Sequence, residues 1–183
     1  FGQIDQTYAR RWGHYTYRNL PKIYDAHIIT AEYLIDNIDR AFDNWQKRPW
    51  NRSLSFEDFC EYLLPYRIGD EPLEEWRELY EKKYGYLLDS IYKGSDVVEA
   101  ANLVSRHLQE PVFIYCEDFE LPHIGPRYLF SHRYGSCVDA ADIVTYAFRA
   151  VGIPCMEDTD ARGGHVWNVV RDTTGRDVPI WYI

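Results

Sequence analysis

The chain has 183 residues, of which 46% are apolar and 27% charged, a composition typical of a globular protein with one domain or a core and a lobe. Its net charge of −9 argues against nucleic acid or an anionic membrane as a partner, because both repel an acidic surface. No apolar run reaches the roughly 18 residues of a membrane span, so no span is expected. The four cysteines lack Cys-x-x-Cys spacing, and we expect neither a metal nor a cofactor.

The first 110 residues predict a mostly helical lobe. An aromatic and basic stretch over residues 8–18 is interpreted as an arm that packs on the domain, since the acidic total disfavours a nucleic-acid site. Apolar residues at helical spacing, with Thr30 and Ser55 as N-caps, predict the helices that follow. They cover residues 30–47, 55–65, 73–84 and 96–108.

Three irregular segments are predicted between these helices and within the C-terminal part. The loop over residues 64–72 carries Tyr66, Arg67 and Glu71, which either line a substrate groove or form a structural turn. The proline-containing residues 111–133 predict a connector with little regular structure. Residues 156–162 are acidic and polar, which predicts a loop at the rim of a cleft.

A cysteine opens the next predicted helix. Ser136 is a good N-cap and Asp139 occupies the capping-box position, which places Cys137 at the first helical residue. Gly152 and Pro154 predict the end of this helix. The helix dipole and the free N–H groups of the first turn favour a thiolate, which is the nucleophilic form of cysteine.

A histidine opens a predicted strand shortly afterwards. Asp139 and Asp142 disfavour a thiolate, because like charges repel, so a cationic partner is needed. His165 supplies an imidazole for this purpose, and alternation places it on the same strand face as Trp167. His132, which lies five residues before Cys137, is the alternative base, but no strand is predicted to hold it.

Three motifs of this region resemble the core of the transglutaminase-like superfamily in its bacterial form. They are Gly135-Ser136-Cys137, Arg149-Ala150-Val151-Gly152-Ile153-Pro154 and His165-Val166-Trp167-Asn168, which follow one another in the family's order. The resemblance implies an α+β fold in which a papain-like cysteine helix packs on an antiparallel sheet that begins with the His165 strand. The domains are then a helical lobe over residues 1–110 and the core over residues 111–183.

The family orients its histidine with an aspartate on the following strand. A hairpin turn over residues 172–177 predicts that strand at 178–183, and Trp181-Tyr182 resembles the dipeptide that precedes the family's aspartate. We therefore expect a truncated chain with the aspartate beyond Ile183, and Asp177 is the alternative. In the family an upstream side chain often completes the oxyanion hole, and Asn102 is the candidate here.

The resemblance implies a cysteine acyl-transfer enzyme with Cys137 and His165 as catalytic residues. A peptidase- or amidase-type hydrolase is expected, with a transglutaminase left open, and the substrate is a peptide, protein or glycopeptide. A non-catalytic protein- or glycan-binding module on the same fold is the alternative, which the 16% aromatic content favours. A Cys-x5-Arg phosphatase is excluded, because the position of its arginine is occupied by Ile143.

The sequence leaves the location and the assembly of the protein open. The chain starts at Phe1 with no signal-like region, which suggests a secreted or periplasmic protein that lacks its signal segment. The redox compartment and the oligomeric state do not follow from the residues.

Overall fold

A computed structural model describes residues 21–116, 123–162 and 164–182 of the chain. The basic aromatic stretch over residues 8–18 lies outside them. The described residues form an α+β structure in which helices precede a small sheet. None of the described helices is long and apolar enough to cross a membrane.

The N-terminal lobe is helical, as the sequence predicts. Its helices are α1 (Ala31–Lys47), α2 (Phe56–Asp58, continued by a π-helical turn over Phe59–Leu63), α3 (Arg77–Tyr86, continued by a π-helical turn over Leu87–Ile91) and α4 (Val97–Leu108). The predicted caps are present: Thr30 Oγ1 accepts a hydrogen bond from Tyr33 N, and Ser55 Oγ accepts one from Asp58 N. Asp96 caps α4 in the same way.

The C-terminal part combines two sheets with the cysteine helix. Short strands β1 (Ile114–Tyr115) and β2 (Tyr134–Gly135) pair in parallel, with α5 (Pro126–His132) between them in the chain. The cysteine helix α6 (Cys137–Ala150) follows β2 directly. Strands β3 (Cys155–Thr159), β4 (Val166–Arg171) and β5 (Asp177–Ile180) then form an antiparallel sheet with β4 in the centre.

One hydrophobic core joins the lobe to the sheet. All residues of α6 from Asp139 to Ala150 are buried, and the helix packs against α3 on one side and against β3 and β4 on the other. The core contains Tyr80 and Tyr84 of α3, Val104 of α4 and Val170 of β4. The cysteine helix is therefore enclosed by both parts of the chain, which holds its N-terminus in a fixed position.

The structure corrects the predicted start of α3. The sequence predicts a helix from residue 73, but residues 72–76 are not helical and α3 begins at Arg77. Tertiary hydrogen bonds hold this segment outside the helix, because Tyr33 Oη donates to the Glu74 carbonyl and Trp76 Nε1 donates to the Tyr66 carbonyl.

The prediction of a connector with little regular structure was wrong for part of residues 111–133. Helix α5 covers Pro126–His132, with Pro126 at its first residue, where a missing N–H costs nothing. The Glu74 side chain accepts a hydrogen bond from Arg127 N at 3.0 Å and so satisfies a free donor of the first turn. This stabilising contact comes from a residue 53 positions away in the chain.

The prediction of a loop over residues 156–162 was also wrong for the first half of this segment. Strand β3 covers Cys155–Thr159, pairs antiparallel with β4, and precedes the His165 strand in the sheet. The sequence predicted a sheet that begins with the His165 strand, but the sheet begins with β3.

Candidate active site

Cys137 is the first residue of α6, and the turn before it is held by several backbone contacts. Ser136 is the N-cap, and the Asp139 carboxylate accepts hydrogen bonds from Ser136 N at 2.7 Å and from Ser136 Oγ at 3.0 Å. Ile124 N donates to the other oxygen of Asp139 at 3.3 Å. The capping box that the sequence predicts is therefore present, and it fixes the position of the thiol.

The other end of α6 is anchored to the helical lobe. The Val151 carbonyl accepts a hydrogen bond from Arg48 Nε at 2.8 Å. The Gly152 carbonyl accepts two more, from Trp50 Nε1 and Asn51 Nδ2, both at 2.9 Å. These side chains supply donors to carbonyls that a helix C-terminus leaves free, so the whole helix is held in register with the lobe.

Asn168 places the His165 strand on α6. Its buried amide donates to the Ala141 carbonyl at 3.0 Å and to Thr145 Oγ1 at 2.9 Å. His165 lies three residues earlier, just before β4, and its carbonyl accepts hydrogen bonds from Thr159 Oγ1 and Asp160 N. The backbone at His165 is therefore fixed from both sides.

Cys137 and His165 line one pocket between α6 and the sheet. The pocket is a shallow one, with a cavity volume of about 20 Å³, and it opens to solvent. Among the described residues, no Asp, Glu, Lys or Arg lines it. The other lining residues are Ala140, Ala141, Val166, Trp167, Asn168, Ile180, Trp181 and Tyr182.

The thiol and the imidazole share the pocket without a hydrogen bond between them in the described part of the chain. Cys137 is a free, partly exposed cysteine. The imidazole of His165 packs against Trp181 instead, with ring centroids 6.0 Å apart and planes within 14° of parallel. Catalytic hydrogen bonds are often long in the absence of substrate, so this geometry is compatible with a nucleophile and its base.

Other residues that the sequence singles out lie away from the pocket. Asn102 is exposed on α4, and neither it nor His132 lines the pocket. His132 is exposed and stacks on Tyr128, with ring centroids 4.1 Å apart. Tyr66 and Arg67 contact Asp25, and buried Glu71 accepts hydrogen bonds from Ile68 N and Gly69 N, which makes the loop over residues 64–72 a structural turn.

Asp177 lies at the opposite end of the sheet from His165. It pairs with Arg171 in the β4–β5 register, six residues along the chain from His165, or roughly 20 Å at about 3.3 Å per strand residue. Its carboxylate accepts a hydrogen bond from Tyr62 Oη at 3.1 Å and forms an ion pair with Arg171 at 3.2 Å. Asp172 accepts hydrogen bonds from Thr174 N and Arg176 N within the hairpin turn.

Sequence reasoning missed two acids at the contact between α6 and β3. Asp142 has no exposed surface, and its carboxylate lies 2.9 Å from His123 Nδ1. The Glu157 carboxylate accepts a hydrogen bond from Thr145 Oγ1 at 3.0 Å and interacts with Asp142. Burial above all raises the pKa of both carboxyls well above the usual range. No local pattern in the sequence signalled the burial of Asp142, because the apolar residues of α6 recur on a different face of the helix.

These acids do not form a metal site in the described ranges. Within residues 21–116, 123–162 and 164–182, no three or more His, Cys, Asp and Glu side chains are arranged to hold a metal ion.

The chain matches no protein-family model, no curated protein and no solved structure with which it was compared. The assignment of a function therefore depends on the pocket and its residues.

Proposed function

We propose that this protein is a cysteine-dependent acyl-transfer enzyme on a transglutaminase-like core, acting on amide bonds as a peptidase- or amidase-type hydrolase. The observation that carries the proposal is that Cys137, at the first residue of a buried helix, lines the same pocket as His165. A nucleophile at a helix N-terminus and an imidazole beside it are the parts that thiol acyl transfer needs.

The proposed reaction uses the thiol as nucleophile. Cys137 Sγ attacks the carbonyl carbon of the amide while the thiol proton passes to the imidazole of His165. The N–H of Cys137, at the start of α6, donates to the developing oxyanion. The C–N bond then breaks as His165 returns the proton to the leaving amine, and water hydrolyses the thioester to a carboxylic acid and the free thiol. A second amine in place of water would give transamidation.

The two acids that the sequence sets against a thiolate are engaged elsewhere. Asp139 is occupied by the Ser136 and Ile124 hydrogen bonds. Asp142 faces His123 and Glu157, and burial raises its pKa, so its carboxyl holds a proton above the ordinary pH range for carboxyls. The opposition of Asp142 to a negative sulfur is therefore smaller than the sequence suggests.

Alkylation of the four cysteines tests the proposal. Native protein is treated with iodoacetamide between pH 5.5 and 8.5, and each site is quantified by peptide mass spectrometry. We expect Cys137 to react at least about tenfold faster than partly exposed Cys60 at the acidic end, because a paired thiolate persists there. Cys155 serves as the unreactive reference, because burial raises its pKa to about 12.

The variant His165→Ala separates pairing from simple exposure. We expect the acidic advantage of Cys137 to disappear in this variant while the rate at Cys60 stays the same. If Cys137 follows the rate profile of Cys60 in both proteins, the proposed enzyme is overturned.

One observation favours the alternative of a binding module on the same fold. The Cys137 thiol and His165 form no hydrogen bond in the described structure, and the ring of Trp181 beside them is 64% exposed. Such a module binds a peptide or glycan in the pocket with an idle thiol. Equal reactivity of Cys137 and Cys60, together with retained ligand binding, is the result that this alternative predicts.

A further inference from the structure

An aromatic surface borders the pocket on the sheet. The rings of His165, Trp167 and Trp181 lie side by side, with centroid separations between 6.0 and 6.3 Å. We name these three rings the aromatic platform. All three residues also line the Cys137 pocket, so the platform is continuous with it.

The strand register places a carboxylate beside this platform. Asp158 of β3 is the direct partner of Trp167 on β4, and residues directly opposite in an antiparallel pair project from the same face of the sheet. Asp158 is exposed, and among the described residues its carboxylate accepts one hydrogen bond, from the neighbouring Thr159 N. Its negative charge therefore faces solvent next to the platform, in which Trp181 is exposed and His165 and Trp167 are partly exposed.

Further charges near the platform come from the turn that joins β3 to β4. Asp160 lies next to His165, since its N–H donates to the His165 carbonyl, and its carboxylate accepts a hydrogen bond from Gly164 N at 2.6 Å. Exposed Arg162 is the cation of this turn. Glu157, between Asp158 and the core, faces α6 and bonds Thr145. Within this turn and the adjoining end of β3, two aspartates accompany one arginine, so the described charges beside the platform are net negative.

Exposed aromatic faces with a neighbouring carboxylate suit a cation. The faces of indole rings attract an ammonium or guanidinium group, and a carboxylate adds a charge partner for it. A neutral sugar or an apolar ring would gain from the rings but not from Asp158. An anionic ligand would be repelled.

We infer that the aromatic platform and Asp158 bind the lysine or arginine side chain of a peptide substrate. The inference deepens the proposed function and rests on it for the statement that the bound peptide is a substrate. Because the three platform residues also line the Cys137 pocket, the cationic residue lies close in the peptide to the amide that meets Cys137.

Binding is tested in the variant Cys137→Ala, so that no reaction interferes. Nα-acetyl-arginine amide and Nα-acetyl-citrulline amide are titrated, because citrulline keeps the size of the side chain and loses its charge. The indole N–H signals of Trp167 and Trp181 in ¹H–¹⁵N spectra report occupancy. We expect the arginine ligand to bind about three- to tenfold more tightly, and the preference to shrink in high salt.

A second substitution identifies the carboxylate. Added to the same background, Asp158→Asn is expected to reduce the preference for arginine to less than about twofold, while Asp39→Asn on the exposed surface of α1 leaves it unchanged. Equal affinities for the two ligands before any substitution would overturn the inference, as would an arginine preference that survives Asp158→Asn.

The same measurements separate this inference from the proposed function. An arginine preference in a protein whose Cys137 reacts no faster than Cys60 retains the cation site and makes the chain a binding module. A reactive Cys137 without an arginine preference retains the enzyme and removes the platform as its specificity site.

Discussion

Gly135 shows how one residue determines the position of the thiol. Its backbone has a φ of +152°, and a Cβ at this position would lie 2.4 Å from Asp139 Oδ2 and 2.5 Å from Asp139 Cβ and Cγ. A side chain here would therefore displace the carboxylate that caps α6. This close approach gives a physical reason for a glycine two residues before Cys137.

We predict that Gly135→Ala destabilises the protein and misplaces the thiol. The backbone conformation costs about 1–2 kcal/mol for a residue with a Cβ, and loss of the cap costs about 1 kcal/mol more. Urea denaturation measures the loss in the free energy of unfolding. The alkylation rate of Cys137 measures the misplacement of the thiol, and we expect this rate to approach that of Cys60.

Gly175→Ala is the matched control for this substitution. Gly175 also has a positive φ, of +79°, but a Cβ there would meet nothing within 4 Å. The variant Gly175→Ala should lose only the roughly 1–2 kcal/mol of the backbone conformation and leave the reactivity of Cys137 unchanged. Equal losses of stability in the two variants would show that the contact with Asp139 is irrelevant.

At this scale the sequence predicted local features well and distant contacts poorly. The caps at Ser136, Thr30 and Ser55 depend on neighbours within three residues, and each is present. The contact between His123 and Asp142 joins residues 19 positions apart and depends on how the connector folds over α6. No local pattern contains that information.

Among the elements, α1 differs from its sequence pattern in the face that it buries. Its apolar residues recur at helical spacing, yet Ile35, Ile38 and Phe42 are exposed among the described residues. Asn37 and Asn44 are buried instead, because Asn37 Nδ2 donates to the Leu64 carbonyl and Asn44 Nδ2 donates to Glu81. Buried amides with partners can replace an apolar contact, and periodicity alone does not reveal the partners.

The missed strand β3 has a related cause. Residues Cys155 and Glu157 point toward α6, and Glu157 at an inward position conceals the alternation that marks a strand. Its hydrogen bond to Thr145 and its interaction with Asp142 make the inward carboxyl tolerable. A tertiary contact therefore overrides the polar character of the segment.

Arg77 on α3 connects the ends of two other helices. Its guanidinium donates to the carbonyls of Leu63, Leu64 and Pro65 after α2, and to the carbonyl of Arg149 near the end of α6. The side chain is buried. It therefore supplies donors to carbonyls that lie at helix C-termini, where intrahelical donors are lacking.

We predict that Arg77→Met lowers the free energy of unfolding by about 3–5 kcal/mol, because each buried carbonyl left without a donor costs about 1–3 kcal/mol. The free energy of unfolding of Arg77→Lys should lie between those of the native protein and Arg77→Met, since an ammonium group reaches fewer of the carbonyls. Urea denaturation followed by circular dichroism measures these changes.

The control is Lys82→Met on the exposed side of the same helix, where the loss should stay below about 0.5 kcal/mol. A loss at Arg77→Met as small as that at Lys82→Met would contradict the role of Arg77 as a connection between helices.

At the scale of the whole molecule, two pairs of described acids have shifted pKa values with opposite effects on how stability depends on pH. Asp25 and Asp89 bond to arginine or lysine side chains, which lower their pKa values and stabilise the fold above the usual carboxyl range. Burial raises the pKa values of Asp142 and Glu157 instead. Their contribution is complete below the unfolded pKa of about 4 and is lost as pH rises through the folded pKa.

The α+β class was expected from the sequence through the family resemblance, whereas this balance of acids was not. Net charge counts every carboxylate equally, but Asp142 is buried between α6, β3 and the His123 segment. The buried core that raises its pKa is assembled from both parts of the chain. The pH dependence of stability is therefore a property of the assembled fold.

We predict that Glu157→Gln flattens the decline of stability with rising pH. The amide oxygen can still accept from Thr145 Oγ1 and the amide nitrogen can donate to Asp142, so the buried contacts persist without a proton to lose. Each proton difference between the folded and unfolded chain contributes a slope of up to about 1.4 kcal/mol per pH unit. The stability of the variant relative to the native protein should therefore increase from pH 5 to pH 8, as measured by urea midpoints.

Glu57→Gln is the control, because Glu57 is an exposed acid on α2. The plot of its stability against pH should run parallel to that of the native protein. Parallel curves for both variants would show that Glu157 takes up no extra proton in the folded state, and would remove the buried acid pair as the source of the pH dependence.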